Sequence, residues 1–251
     1  MKKRLTGIFL IITMLLSFGS PAFAYGVLAL QKTEVTVLMY HLLSEDSADW
    51  SDFCISPEQF EDDIVNLIAS GYKFLSPQDL AKPAEKGKYA LITFDDGYKS
   101  DLEKALPILE KYRVPAVFFV ITSFIGRDGY LSQEDILKLS KSEYAYIGSH
   151  TDRLHNYTPA ELNKMFVSRD FEQFIIEDMT RSFEILEGIT GERVMCMSYP
   201  NGIFSQKLEF LLKAQRPGLI TFSSVEEKLS LPCAFMLPLG RYNRSLDFKL
   251  P

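Results

Sequence analysis

The chain contains three histidines, His41, His150 and His155, together with an adjacent carboxylate pair, Asp95-Asp96, that runs into Gly97. Two neutral imidazoles and one carboxylate make a three-donor set for a divalent cation and leave positions open to water and substrate. Such a cation lowers the pKa of water and polarises a carbonyl. Successive residues at a strand end point in different directions, so one of Asp95 and Asp96 can bind the cation while its neighbour serves as base. Zinc suits the donor set by softness and availability, with cobalt and nickel as alternatives. Five positions separate His150 from His155. That interval is about 140° on a helix and opposite faces on a strand, so the rings converge only across an irregular loop. Thr151 and Asp152 suit such a loop.

Each group also has an ordinary reading. A lone histidine is commonly a packing residue, and Asp-Asp-Gly and Tyr199-Pro200-Asn201-Gly202 are simple turn sequences. What argues for chemistry is where they fall. Val35 to Tyr40 is a β-rich apolar run ending at His41, and Tyr89 to Phe94 runs straight into Asp95. Tyr144 to Gly148 leads to His150, and Val194 to Tyr199 leads to the Pro-Asn-Gly turn. Ala116 to Ile121, Leu219 to Phe222 and Leu237 to Leu239 read as further strands.

Helical signals lie between these strands. Ser56-Pro57-Glu58-Gln59 carries a capping box with proline at the first helical position, and Gly71 supplies the stop. Ser76-Pro77 starts a shorter helix, a helical segment follows Gly97 as far as about Tyr112, and Ser132 caps another. Phe171 to Glu187 and Ser205 to Ala214 complete the set. Nearly uniform apolar strands alternating with helices specify an α/β fold with a parallel sheet, whose chemistry sits at the carboxyl ends of its strands.

Composition fits one folded domain: 251 residues, 47% hydrophobic and 24% charged, with no repeat or low-complexity tract. A formal charge of −6 supplies no basic footprint for nucleic acid. Lys2, Lys3 and Arg4, the apolar run Ile8 to Phe18, and Ala22-Phe23-Ala24 have the pattern of an export signal over residues 1–24. The apolar run is short for a bilayer span, so membrane attachment would require the signal to stay uncleaved. Residues 25–34 then form a lead-in and 35–251 the working domain, placed outside the cytoplasm, secreted or in the cell envelope. Cys54, Cys196 and Cys233 are an odd count with no C-x-x-C, which argues against a disulfide framework or a thiolate zinc site.

Thr93-Phe94-Asp95-Asp96-Gly97, followed by His150-Thr151 and a second nearby histidine, resembles the polysaccharide deacetylases, the NodB-homology or carbohydrate-esterase deacetylase family. The likeness runs from Val37-Leu38-Met39-Tyr40-His41 through Ser56 to Phe60 and Gly71-Tyr72 to Ser198-Tyr199-Pro200. The resemblance implies a distorted, TIM-like (β/α) barrel and metal-dependent removal of acetyl groups from an N-acetylated polysaccharide. It implies Asp95 as general base and Asp96, His150 and His155 as metal ligands. It also implies a backbone donor for the oxyanion in the Tyr199, Pro200, Asn201 turn.

Two departures narrow the expectation. The commoner family spacing of the two ligand histidines is four; a subgroup active on biofilm poly-N-acetylglucosamine uses five, as here. The family's third-motif arginine is absent from Met197-Ser198-Tyr199-Pro200-Asn201-Gly202, and Arg241 after Leu237-Pro238-Leu239-Gly240 is the candidate substitute. The late Leu-x-Leu-x-His that carries the usual general acid is also missing. In the same subgroup an early histidine takes that role, which here is His41. The resemblance thus implies an exported N-deacetylase of poly-N-acetylglucosamine or peptidoglycan. The missing motifs leave as alternatives a catalytically weak glycan binder and an acetylxylan or chitin-oligomer deacetylase.

Overall fold

The computed structural model describes residues 33–249, so the leader and most of the lead-in lie outside the described residues. The apolar runs become the strands β1 (Glu34–Tyr40), β2 (Leu42–Leu43), β3 (Cys54–Ile55), β4 (Tyr72–Phe74), β5 (Lys88–Phe94), β6 (Ala116–Val120), β7 (Ala145–Ser149), β8 (Cys196–Ser198), β9 (Ile220–Phe222), β10 (Leu229–Ser230) and β11 (Tyr242–Asn243). The helices are α1 (Pro57–Ala69), α2 (Leu106–Tyr112), α3 (Gln133–Leu139), α4 (Pro159–Val167), α5 (Glu172–Thr190) and α6 (Gln206–Gln215). The path β1-β5-β6-β7-β8-β9 is parallel throughout. The alternating elements build the parallel sheet they specify, and it curls into the distorted (β/α) barrel that the resemblance implies.

Closure is irregular. The outer edge of β1 is shared between β10, antiparallel at Glu34 and Val35, and β11, parallel at Leu38 and Met39. The expected strand Leu237 to Leu239 is not one: only Leu239 bridges Phe222 of β9. Pro238 has no N–H to offer a ladder, which limits pairing there. The segment from Leu239 to Asn243 therefore crosses the gap between β9 and β1, with Arg241 in its middle.

Helix starts follow their caps. Ser56 accepts from the Gln59 N–H and Gln59 answers the Ser56 N–H, both near 3 Å. Ser76-Pro77 starts only a 3₁₀ turn, Pro77–Ala81. The segment after Gly97 opens as a π-helical turn, Asp101–Ala105, before α2. Helix α4, with its own Thr158-Pro159-Ala160-Glu161 capping box, was not anticipated. No helix among the described residues is long and apolar enough to cross a membrane.

The two-residue period of the strands decides what reaches the site. Tyr89 and Leu91 face the barrel interior with Val35, Val37, Val117, Phe119 and Phe222, while Ala90, Ile92 and Phe94 face the helices. Continuing that parity brings Asp95 inward, and likewise His41 after β1, His150 after β7 and Ser198 in β8. Gly148 shares this inward parity one step below His150, where a Cβ would lie 2.5 Å from the Phe119 ring. The ring needs that space.

Candidate metal and catalytic centre

The inward residues meet at the carboxyl ends of the strands, in a cavity of about 520 Å³ lined by His41, Asp95, Asp96, His150, His155 and Arg241. A larger cavity, about 740 Å³, opens between the amino ends of β7, β8 and β9, and no histidine or aspartate lines it. The histidines and the Asp95-Asp96 pair all line the first.

Asp95 is buried and fully engaged. Arg241 donates from Nη1 to Oδ1 at 2.6 Å and from Nη2 to Oδ2 at 2.7 Å. Ser198 Oγ donates to Oδ2 at 3.3 Å. Arg241 is held in turn by the Ser223 carbonyl, 3.0 Å from Nε, and by Thr93 Oγ1, 3.2 Å from Nη1. Burial would raise the Asp95 pKa. The Arg241 guanidinium, with smaller help from His150 and His41, more than offsets that and holds the carboxyl well below its usual range.

Asp96 leaves the strand with φ +78° and Gly97 continues the turn at +76°. This left-handed turn sends Asp96 in a different direction from Asp95 and brings one donor atom each of Asp96, His150 and His155 within 4.8 Å of one another. The His150 and His155 ring centroids are 4.2 Å apart. His150 Nδ1 lies 2.9 Å from the Ser198 carbonyl, which fixes the ring with Nε2 toward Asp95 and Asp96, at 3.5 and 3.6 Å. The His155 Nε2 atom is shut off from solvent with no hydrogen-bond partner. Burial, and then His150, push its pKa down to about 2, so the ring is neutral. An orphaned neutral nitrogen beside a second imidazole and a carboxylate is a donor set that fits a divalent cation.

His41 sits at the wall, its ring edge-on to Phe53 with centroids 4.9 Å apart. Burial lowers its pKa from the ordinary histidine value, partly countered by Asp95 and Asp96. In the Tyr199-Pro200-Asn201 turn, the Tyr199 N–H is committed to the Phe222 carbonyl and its hydroxyl to Glu209 at 2.6 Å. Pro200 has no N–H. Asn201, at φ +53°, lines the cavity.

Sequence reasoning missed Tyr98. It lines the cavity, hydrogen-bonds Asp96 and stacks on Tyr130 with centroids 5.0 Å apart. Its position two residues after Asp96 in the same turn was the available signal. Of the aromatic residues Trp50, Phe53, Tyr157 and Tyr242, only Phe53 lines the cavity. Cys54, Cys196 and Cys233 are free.

A family model described as polysaccharide deacetylase matches residues 82–216, more than half of the chain. The poly-beta-1,6-N-acetyl-D-glucosamine N-deacetylase of Staphylococcus aureus (strain MSSA476) is 30% identical over 196 residues, 74% of this chain and 66% of that protein. The putative polysaccharide deacetylase YxkH of Bacillus subtilis (strain 168) is 28% identical over 193 residues, 74% of this chain and 62% of that protein. The chain thus spans slightly less than two thirds of the length of these relatives. Among solved structures, IcaB from Ammonifex degensii superposes with a TM-score of 0.74 at 28% identity, covering 86% of this chain and 94% of that one. The de-N-acetylase from Aggregatibacter actinomycetemcomitans has the same fold, with a TM-score of 0.74 at 22% identity over 86% and 97% of the two chains. With the Asp-Asp-Gly turn inside the matched span and a barrel shared along nearly its whole described length, this chain belongs to the polysaccharide deacetylase family.

Proposed function

We propose that the protein is an exported, metal-dependent hydrolase that removes N-acetyl groups from poly-β-1,6-N-acetylglucosamine. The observation that carries the reading is the juxtaposition of the Asp96, His150, His155 donor set with an ionised Asp95 and with His41 in one open cavity. The similarity to the S. aureus N-deacetylases and the five-residue histidine interval favour this polymer over peptidoglycan or acetylxylan.

A divalent cation, zinc by softness with cobalt or nickel as alternatives, would be held by Asp96, His150 and His155 and would acidify the attacking water and polarise the acyl oxygen. Asp95 accepts the proton of that water as general base. Its low pKa makes it a modest base, and its contribution is to be charged, desolvated and aimed by Arg241 and Ser198. Asn201, which lines the cavity, would supply the backbone N–H for the developing oxyanion. His41 gives a proton to the departing amine, which is a poor leaving group without one. Burial lowers the His41 pKa and so makes its protonated form a readier donor. Arg241 against Asp95 supports a catalytic reading over a purely binding one, since a binder has no use for a pre-ionised base beside its ligands.

The test is acetate release from poly-N-acetylglucosamine, chitin oligomers, peptidoglycan and acetylxylan at equal acetyl concentration. Fastest release from poly-N-acetylglucosamine is expected. Release only from another polymer would overturn the substrate assignment, and release from none would overturn the activity.

A further inference from the structure

The two histidines are held in different ways. His150 is fixed through its ring by the Ser198 carbonyl, 2.9 Å from Nδ1. Among the described residues nothing hydrogen-bonds the His155 ring, and its Nε2 is orphaned. His155 is therefore only as well placed as the backbone that carries it, the irregular stretch Thr151-Asp152-Arg153-Leu154. Thr151 is left-handed there, at φ +69°.

That stretch is gripped from two sides. On one, the turn after β6 binds it: the Thr122 N–H donates to the Thr151 carbonyl at 3.1 Å and Thr122 Oγ1 to the Asp152 carboxylate at 2.7 Å. Ser123 Oγ also donates to the Asp152 carbonyl. On the other side stands Asp178, from the middle of α5. Its Oδ1 accepts the Asp152 N–H at 3.0 Å and its Oδ2 the Arg153 N–H at 2.7 Å, and the Leu154 N–H is directed to the same carboxyl. Asp178 is 5% exposed. A buried carboxylate spread over consecutive backbone donors does for this loop what an N-cap does for a helix, and charge-assisted bonds of this kind are the stronger sort.

We infer that Asp178 is a positioning residue which, by holding the backbone of residues 152–154, sets where His155 stands and hence how tightly the site binds its divalent cation. The inference rests on the metal-site reading above. It assigns the longer histidine interval a structural requirement: the looped-out N–H groups need an acceptor, and α5 supplies it. Asp178 touches neither substrate nor the reacting atoms, so its effect is on affinity and geometry. Removing a group that orients a metal ligand typically costs about 10–100-fold in affinity.

The experiment measures Zn²⁺ affinity by competition with a chromophoric chelator, and the visible spectrum of the Co²⁺-loaded protein, well below all melting temperatures. Wild type is compared with Asp178→Ala, Asp178→Asn and Leu186→Ala. Leu186 is a fully buried residue one helical stretch along α5 and away from the loop. Asp178→Ala is expected to weaken Zn²⁺ about 10–100-fold and alter the Co²⁺ spectrum. Asp178→Asn, which keeps one acceptor oxygen, should fall between it and wild type. Leu186→Ala should melt earlier with unchanged affinity and spectrum. If wild type binds no metal, the metal-site reading fails and takes this inference with it. If wild type binds and Asp178→Asn matches it in affinity and spectrum, or Leu186→Ala weakens binding as much as the Asp178 variants, this inference alone is overturned.

Discussion

Arg241 and Asp95, 146 positions apart in sequence, meet in a two-pronged contact in which both guanidinium nitrogens reach separate carboxylate oxygens, at 2.6 and 2.7 Å. The segment that closes the barrel between β9 and β1 thereby also supplies the partner of Asp95, the proposed base. With Arg241 at 1% and Asp95 at 3% exposure, the pair is desolvated, and removing one member leaves a buried charge uncompensated.

Arg241→Met is expected to lower stability by about 3–5 kcal/mol, read by urea denaturation. Without the guanidinium, burial acts unopposed and the Asp95 pKa rises. Under the proposed role Asp95 must be ionised, so the acid limb of acetate release is expected to move to higher pH. Arg241→Lys retains a point charge without the planar fork and should show a smaller shift. An acid limb that stays in place would separate Asp95 from the role of base.

The parts of this site that were legible in the sequence are those set by local rules. Strand parity puts His41, Asp95, His150 and Ser198 on one inner surface, and an apolar run ending in Asp-Asp-Gly announces a strand end. Ser56, Pro57 and Gln59 marked a helix start that the structure reproduces. Arg241 was harder to place because its segment has no period: Leu237 to Leu239 looked like a strand and makes only one bridge. Helix α4 has a capping box at Thr158 but only nine residues to show a period, and Asp178 gives no local signal, since a buried acceptor on an amphipathic helix reads as a surface acid.

His155 gives the metal-free protein a pH-dependent stability. In the unfolded chain a histidine protonates near pH 6.5, whereas the folded ring resists until about 2. Between those values the unfolded state binds the extra proton, so this contribution is complete above pH 6.5 and is lost as pH falls. Its slope is at most about 1.4 kcal/mol per pH unit. Urea denaturation of wild type and His155→Gln from pH 7.5 to 5.5 should show the shallower dependence in the variant. Parallel curves would contradict the burial of a neutral ring.

Gly97 and Gly71 separate a contact cost from a backbone cost. Both have positive φ, +76° and +78°. A Cβ on Gly97 would sit 3.0 Å from Val120 Cγ1 and 3.2 Å from the Val120 backbone, while one on Gly71 meets nothing within 4 Å. Gly71→Ala should cost about 1 kcal/mol and leave acetate release intact. Gly97→Ala should cost about 1–3 kcal/mol and reduce release strongly, because the strained turn also carries Asp96. Equal activity losses would contradict the positioning role of the Gly97 turn.

His41 as general acid must be protonated, so activity declines as pH rises through its pKa, which burial lowers from the histidine value. His41→Ala should reduce release by about 10²–10⁴-fold and remove the alkaline limb. A variant that keeps that limb would assign the proton to another group.

The proposed activity requires that Asp96, His150 and His155 hold a cation beside a charged Asp95 and that together they hydrolyse an acetamide. Acetate release from poly-N-acetylglucosamine oligomers by wild type, by chelator-treated protein with and without added Zn²⁺, and by Asp95→Asn tests it most directly. Expected are release by wild type, loss on chelation, recovery on Zn²⁺ addition, and a loss in Asp95→Asn that no metal restores. Undiminished release from fully metal-stripped protein, or from Asp95→Asn, would contradict it.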